Sequence, residues 1–141
     1  MFQIINFSMR YLMAIPFVLL MVNASFSQTT PCLEILPNPN LSSPAFQEFD
    51  RFVEVLGVLQ FYAEPGVSDA QLLHAASIGA ELLDNNEDGL IDDVELGEQL
   101  SNVNATMPLF LAEDSPAEQA MMDNFDDTFC VHAVLYSDEI A

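Results

Sequence analysis

Residues 84–95 read D-N-N-E-D-G-L-I-D-D-V-E, and their oxygen donors fall at regular intervals. Asp84, Asn86 and Asp88 occupy alternate positions, Gly89 follows, Leu90 offers its carbonyl, and Asp92 and Glu95 complete the set. Carboxylates packed this densely repel one another unless a cation lies among them. In a coiled loop alternate residues point toward one centre, a glycine permits the sharp turn at positive φ, and a glutamate arriving on an exit helix offers both oxygens. Every donor is a hard oxygen and the set suffices for six or seven contacts. That suits calcium better than magnesium, which keeps few protein ligands, or zinc, which prefers nitrogen and sulfur.

Counted from Asp84 as position 1, the donors stand at 1, 3, 5, 7, 9 and 12 with glycine at 6, a spacing that resembles the EF-hand calcium loop. The resemblance implies a helix on each side, Ca2+ as the cofactor, and Asp84, Asn86, Asp88, Leu90 through its carbonyl, Asp92 and Glu95 as ligands. It further implies that Ile91, at position 8, is an apolar anchor tucked into a core or against a second loop. Such hands normally work in pairs, and only one is found here. D-N-F-D-D-T from Asp123 lacks the glycine, and N-P-N-L-S-S from Asn38 has prolines and no acids. A lone hand in an exported domain points to a structural ion, held at the roughly 10⁻⁴ to 10⁻³ M typical of extracellular sites. More faintly, L-L-H-A-A-S-I-G-A-E-L-L-D-N-N-E-D-G-L-I-D-D followed by N-A-T-M is similar to an uncharacterised group of secreted EF-hand-containing proteins. Longer members of that group continue beyond S-D-E-I-A, which implies that this chain is a shortened form.

The loop needs elements to hold it. Ser68 and Gln71 have capping-box spacing, Asp69 places a negative charge at a helix start, and Leu72, Ala75, Ala76, Gly79 and Leu83 recur at helical intervals, with Leu73 and Leu82 widening the apolar side. This predicts an entering helix from Ser68 to about Leu83. After the loop, Val94, Leu96 and Leu100 mark a shorter exit helix weakened by Gly97. F-Q-E-F-D-R-F-V-E-V-L-G-V-L-Q-F-Y-A, residues 46–63, predicts a short helical or turn-like start and then strand on both sides of a bulge or bend at Gly57, with an amphipathic helix through Phe49, Phe52, Val53 and Leu56 as the alternative. N-A-T-M-P-L-F-L predicts a strand that Pro108 confines to an edge or bends. Ser115 and Pro116 open a short helix, and T-F-C-V-H-A-V-L-Y predicts a last strand. The expected fold class is α+β, one domain at 46–141 with the helix pair against a small sheet. Residues 28–45, with Pro31, Pro37, Pro39 and Pro44, are expected to be an extended leader.

Charge and export narrow the function classes. The 141 residues hold 22 Asp and Glu against two arginines, Arg10 and Arg51, for a net charge of −20. Nucleic acid and anionic membrane surfaces are excluded as partners, since both demand clustered cations. Arg10, the apolar run Tyr11 to Val22 and the small residues around Ser25 and Ser27 have the layout of a signal peptide, residues 1–27, cleaved between Ser27 and Gln28. The run is well short of the roughly 20 residues that span a bilayer. A secreted or periplasmic location follows, where Cys32 and Cys130 are expected to form a disulfide. Asn40 and Asn104 fit the glycan acceptor pattern. His74 and His132 have no metal or nucleophile motif around them, and Met121 and Met122 are expected in the core. The expected protein is a calcium binder rather than an enzyme. Two other roles fit the same residues: a secreted enzyme or enzyme fragment with auxiliary calcium, and a calcium-bridged adhesion or matrix module.

Overall fold

A computed structural model describes residues 33–125, 127–131 and 133–140. The expected signal peptide, Cys32 and His132 lie outside the described residues. Among those described, three helices surround a six-stranded mixed sheet, which is an α+β fold, and no helix is long and apolar enough to cross a membrane.

The sheet starts as an antiparallel meander and turns parallel. β1 (Leu36–Pro37) pairs with β2 (Arg51–Val55), and β2 pairs with β3 (Leu59–Ala63) in the register Val53 to Phe61. Gly57 makes the hairpin turn between them rather than a bulge. Val58 N–H donates to Val55 O at 3.1 Å, and Leu56 and Gly57 both take positive φ, 50° and 72°. That twist matches the flanking strands, and glycine adopts it without steric cost. β3 then pairs in parallel with β4 (Ala105–Phe110), Phe61 opposite Met107. A parallel neighbour requires a crossover connection. Here the crossover is α1 (Asp69–Leu83), the acidic loop, and α2 (Val94–Asn102). α1 begins where the capping box predicts: Gln71 N–H donates to Ser68 Oγ at 3.2 Å and Ser68 N–H to Gln71 Oε1 at 2.9 Å.

Pro108 was expected to confine its strand to an edge or to bend it; β4 lies inside the sheet, not at an edge. On its other side it pairs with two fragments, β5 (Cys130–Val131) beside Ala105 and Thr106, and β6 (Leu135–Tyr136) beside Leu109 and Phe110. Leu109 O accepts from Glu64 N–H on the β3 side and Phe110 O from Ser137 N–H on the β6 side. Alternation therefore aims the N of Pro108, which carries no proton, into the gap between β5 and β6. The expected single last strand is split for the same reason.

The two sheet faces carry separate cores. Val53, Val55, Leu59, Phe61 and Leu109 face α1, which contributes Leu72, Ala75, Ala76 and Leu83, the expected positions. Leu82, expected to widen that side, is 78% exposed instead. Phe52, Tyr62 and Phe110 point the other way, toward Phe46, Phe49 and Met121, the last from α3 (Pro116–Asn124). Met122 is exposed. The sheet is thus covered on both faces, as strands reading almost continuously apolar demand. The stretch expected as an extended leader is instead part of the fold: Leu33 and Ile35 pack against the first core, Leu36–Pro37 pairs with β2, and Ala45 enters the second core. Ala45 is buried, and buried Asn38 donates from Nδ2 to Phe46 O and Phe49 O, both at 2.8 Å.

Candidate metal centre

The loop begins where α1 runs out. Asp84 caps that helix, its N–H donating to Ala80 O at 2.8 Å, and it is only 6% exposed. The last turn of α1 contains no basic residue, so a carboxylate sits at the negative end of the helix dipole with nothing local to offset it. Both its oxygens accept backbone bonds instead. Asp88 N–H donates to Oδ1 at 3.0 Å and Gly89 N–H to Oδ2 at 2.7 Å. Gly89 has φ 83°, the left-handed turn that the spacing assigned to it.

Further bonds close the loop on itself. Asp88 N–H also reaches Asn86 Oδ1 at 3.0 Å, and Leu90 N–H donates to Asp88 Oδ1 at 2.9 Å. Asp92 joins the two ends: its N–H donates to Leu83 O at 2.9 Å, its Oδ2 accepts from Asn85 N–H at 2.8 Å, and its Oδ1 accepts from Asn86 Nδ2 at 2.7 Å. One hydrogen-bonded network therefore links Asp84, Asn86, Asp88, Leu90 and Asp92. Glu95 stands outside it. It lies exposed on the first turn of α2, where its Oε1 accepts from Gln99 Nε2 of the same helix at 3.5 Å.

Among the described residues, no three His, Cys, Asp or Glu side chains converge closely enough to hold a metal, the loop carboxylates included. The donor types and the turn fit a hard dication, while the carboxylates themselves stand apart, as like charges do. His74 is exposed on α1, on the rim of an apolar groove, and is no part of the loop.

Three features of the loop were not read from sequence. Asp93, one of several adjacent acid pairs, is the N-cap of α2, accepting from Leu96 N–H at 3.1 Å. Its signal was available, since an acid just before an apolar helical run is a cap pattern. Ile91 finds its anchor on α2 rather than in either sheet core or on a second loop. A Cβ placed on Gly97 would lie 2.9 Å from Ile91 Cδ1, so the glycine that weakens the helix lets Ile91 lie flat against it. For that reason α2 buries Gly97 and leaves Val94 and Leu96 exposed, contrary to expectation. Third, Asn85 joins the network through its backbone, which no side-chain pattern reveals.

Of the expected disulfide, only Cys130 is described, half-buried in β5 at the opposite edge of the sheet from β1. The glycan acceptors are both engaged: Asn40 Nδ2 donates to Tyr62 Oη at 2.6 Å and Asn104 Nδ2 to Thr128 O at 2.9 Å. No family model, no curated protein and no solved structure matches this chain.

Proposed function

We propose that this is a secreted calcium-binding protein in which a single EF-hand-like loop, 84–95, holds one structural Ca2+, with α1 and α2 as the EF-hand-like pair packed on the sheet. The observation that carries the reading is the coincidence of the donor spacing with a turn at Gly89 in which the N–H groups of residues 88–90 bond to the carboxylates of Asp84 and Asp88, between two helices. Asp84, Asn86, Asp88 and Asp92 would hold the ion through side-chain oxygens, Leu90 through its carbonyl, and Glu95 by closing on it from α2. The ion supplies positive charge to offset carboxylates that otherwise repel one another.

The place of the loop in the topology favours a structural role. It is the hinge of the only connection between β3 and β4, so fixing its shape fixes how α1 and α2 lie on those two strands. A medium whose calcium stands well above a Kd of roughly 10⁻⁴ to 10⁻³ M would keep such a site filled, which suits a brace better than a switch. Calorimetric titration of chelator-treated protein tests this. One saturable site at a Kd of roughly 10⁻⁴ to 10⁻³ M is expected, with far weaker binding of magnesium. No saturable heat at millimolar calcium refutes it.

A further inference from the structure

We propose that Gly97 is a positioning residue of the calcium site: by carrying no side chain it lets α2 lie close enough to Ile91 for the Glu95 carboxylate to reach the ion. The inference rests on the calcium reading. Gly97 is the buried residue of α2, while Val94, Glu95 and Leu96 before it are exposed. Leu100, about one turn further on, is half-buried against the first core. The helix therefore rests on Leu100 toward the sheet and on Gly97 toward the loop. Gly97 N–H donates to Asp93 O at 3.0 Å, an ordinary helical bond, and its φ is not positive. No backbone conformation calls for glycine there, and glycine weakens a helix. The proximity of Ile91 is what calls for it.

A Cβ on Gly97 would stand 2.9 Å from Ile91 Cδ1, 3.3 Å from Cγ2 and 3.7 Å from Cβ. Ile91 is poorly placed to swing aside. Its Cγ2 is fixed by the stiff χ1 of a β-branched side chain, and the next residue, Asp92, is tied to the end of α1 by its N–H bond to Leu83 O at 2.9 Å. The yielding partner is α2. Relaxing the closest contact to an ordinary separation of about 3.5 Å moves the helix by about 0.6 Å at Gly97. Leu100 is the pivot, about 4.5 Å along the axis from Gly97 and about 7.5 Å from Glu95, so the shift grows to about 1 Å at Glu95. Calcium–oxygen distances occupy a window of roughly 2.3–2.6 Å. A displacement of that size takes the carboxylate out of contact with the ion.

The test is calorimetric calcium titration of Gly97→Ala and of Gly97→Ala combined with Ile91→Ala, beside the natural protein and Ile91→Ala alone, with thermal unfolding of all four in chelator. Alanine is the better helix former, so Gly97→Ala is expected to stay folded in chelator, while its calcium affinity falls at least fivefold and its calcium-induced rise in Tm shrinks in step. In the Ile91→Ala background the nearest remaining atom is Cβ, at 3.7 Å, an ordinary contact. There the same change at Gly97 is expected to alter calcium affinity less than twofold. Equal calcium binding by the natural protein and Gly97→Ala overturns this proposal and leaves the calcium reading standing. A loss of the same size in both backgrounds overturns it too, since it would mark helix propensity rather than the contact. Unfolding of Gly97→Ala in chelator would make Gly97 a residue of the fold itself, with the same consequence. A natural protein that binds no calcium refutes the calcium reading and this proposal with it.

Discussion

Asp84 and Glu95, at the two ends of the loop, are expected to differ when calcium is removed, because the fold uses Asp84 with or without the ion and Glu95 only with it. Asp84→Ala removes the acceptors of the Asp88 and Gly89 N–H groups. Asp88 keeps Asn86 Oδ1, while Gly89 loses its 2.7 Å bond to a carboxylate oxygen, a loss of about 1.5–3 kcal/mol for a charged, largely buried acceptor. Relief of a negative charge at a helix C-terminus returns about 0.3–1 kcal/mol. The net cost in chelator is therefore about 0.5–2.7 kcal/mol. Glu95→Gln removes an exposed group whose bond to Gln99 is at the limit of reach, so in chelator it costs less than about 1 kcal/mol, most of that from the favourable acid at the α2 start. With calcium at roughly a hundred times Kd the natural protein gains about 2.7 kcal/mol, which is on the order of 10–20 °C in Tm for a domain of this size. Glu95→Gln forfeits most of that gain. Thermal unfolding of both variants, with chelator and with calcium, measures all four quantities. An undiminished calcium-induced rise in Glu95→Gln, or an Asp84→Ala protein unchanged in chelator, would refute the reasoning.

Arg51 ties the start of β2 to residues 64–69, which lead into α1. Its Nη2 donates to Val67 O at 2.7 Å and Glu64 O at 3.1 Å, and its Nη1 and Nε reach Asp69 and Asp50. Both carboxylates are more than half exposed and add little. The carbonyl bonds come from a mostly buried charged donor, so Arg51→Met is expected to cost about 2–4 kcal/mol, while Asp69→Asn costs under about 1 kcal/mol; similar urea midpoints for the two would refute this. Burial pushes the Tyr62 phenol up to about 12, against a partial lowering by its bond with Asn40. The hydrogen bond to Glu118, followed by desolvation and neighbouring carboxylates, raises Tyr136 to about 12 as well. In each case the folded state binds its proton more tightly than the unfolded chain, whose tyrosines titrate near 10. The stabilisation is thus intact below pH 10 and lost between about 10 and 12. In protein cleaved after Ser27, which lacks Tyr11, phenolate absorbance rising at pH 10 in the folded state would contradict it.

The entering helix was legible almost to the residue because its signals are local. The capping box of Ser68 and Gln71 acts within one turn, and the 3.6-residue spacing of Leu72, Ala76, Gly79 and Leu83 needs only the knowledge that some core exists. Ser115 and Pro116 opened α3 on the same logic. Pro108 misled because its tolerance depends on its neighbour across the ladder. A proline is excluded from a sheet interior only where a partner strand needs its N–H, and the gap between β5 and β6 is a long-range fact. The proline-rich stretch was read as a leader for the analogous reason. Prolines forbid helix, yet nothing local says that Asn38 will satisfy the carbonyls of Phe46 and Phe49.

The candidate site divides along the same line. The sequence by itself determined the donor types, their spacing and the glycine at the turn, because the residues involved are consecutive and the loop's own backbone brings them round. The tertiary structure alone decided that this loop is the hinge between two parallel strands and that Ile91 leans on Gly97. Those depend on how distant segments pack, and packing is set by shape and volume summed over the whole core rather than by the order of residues within any one segment.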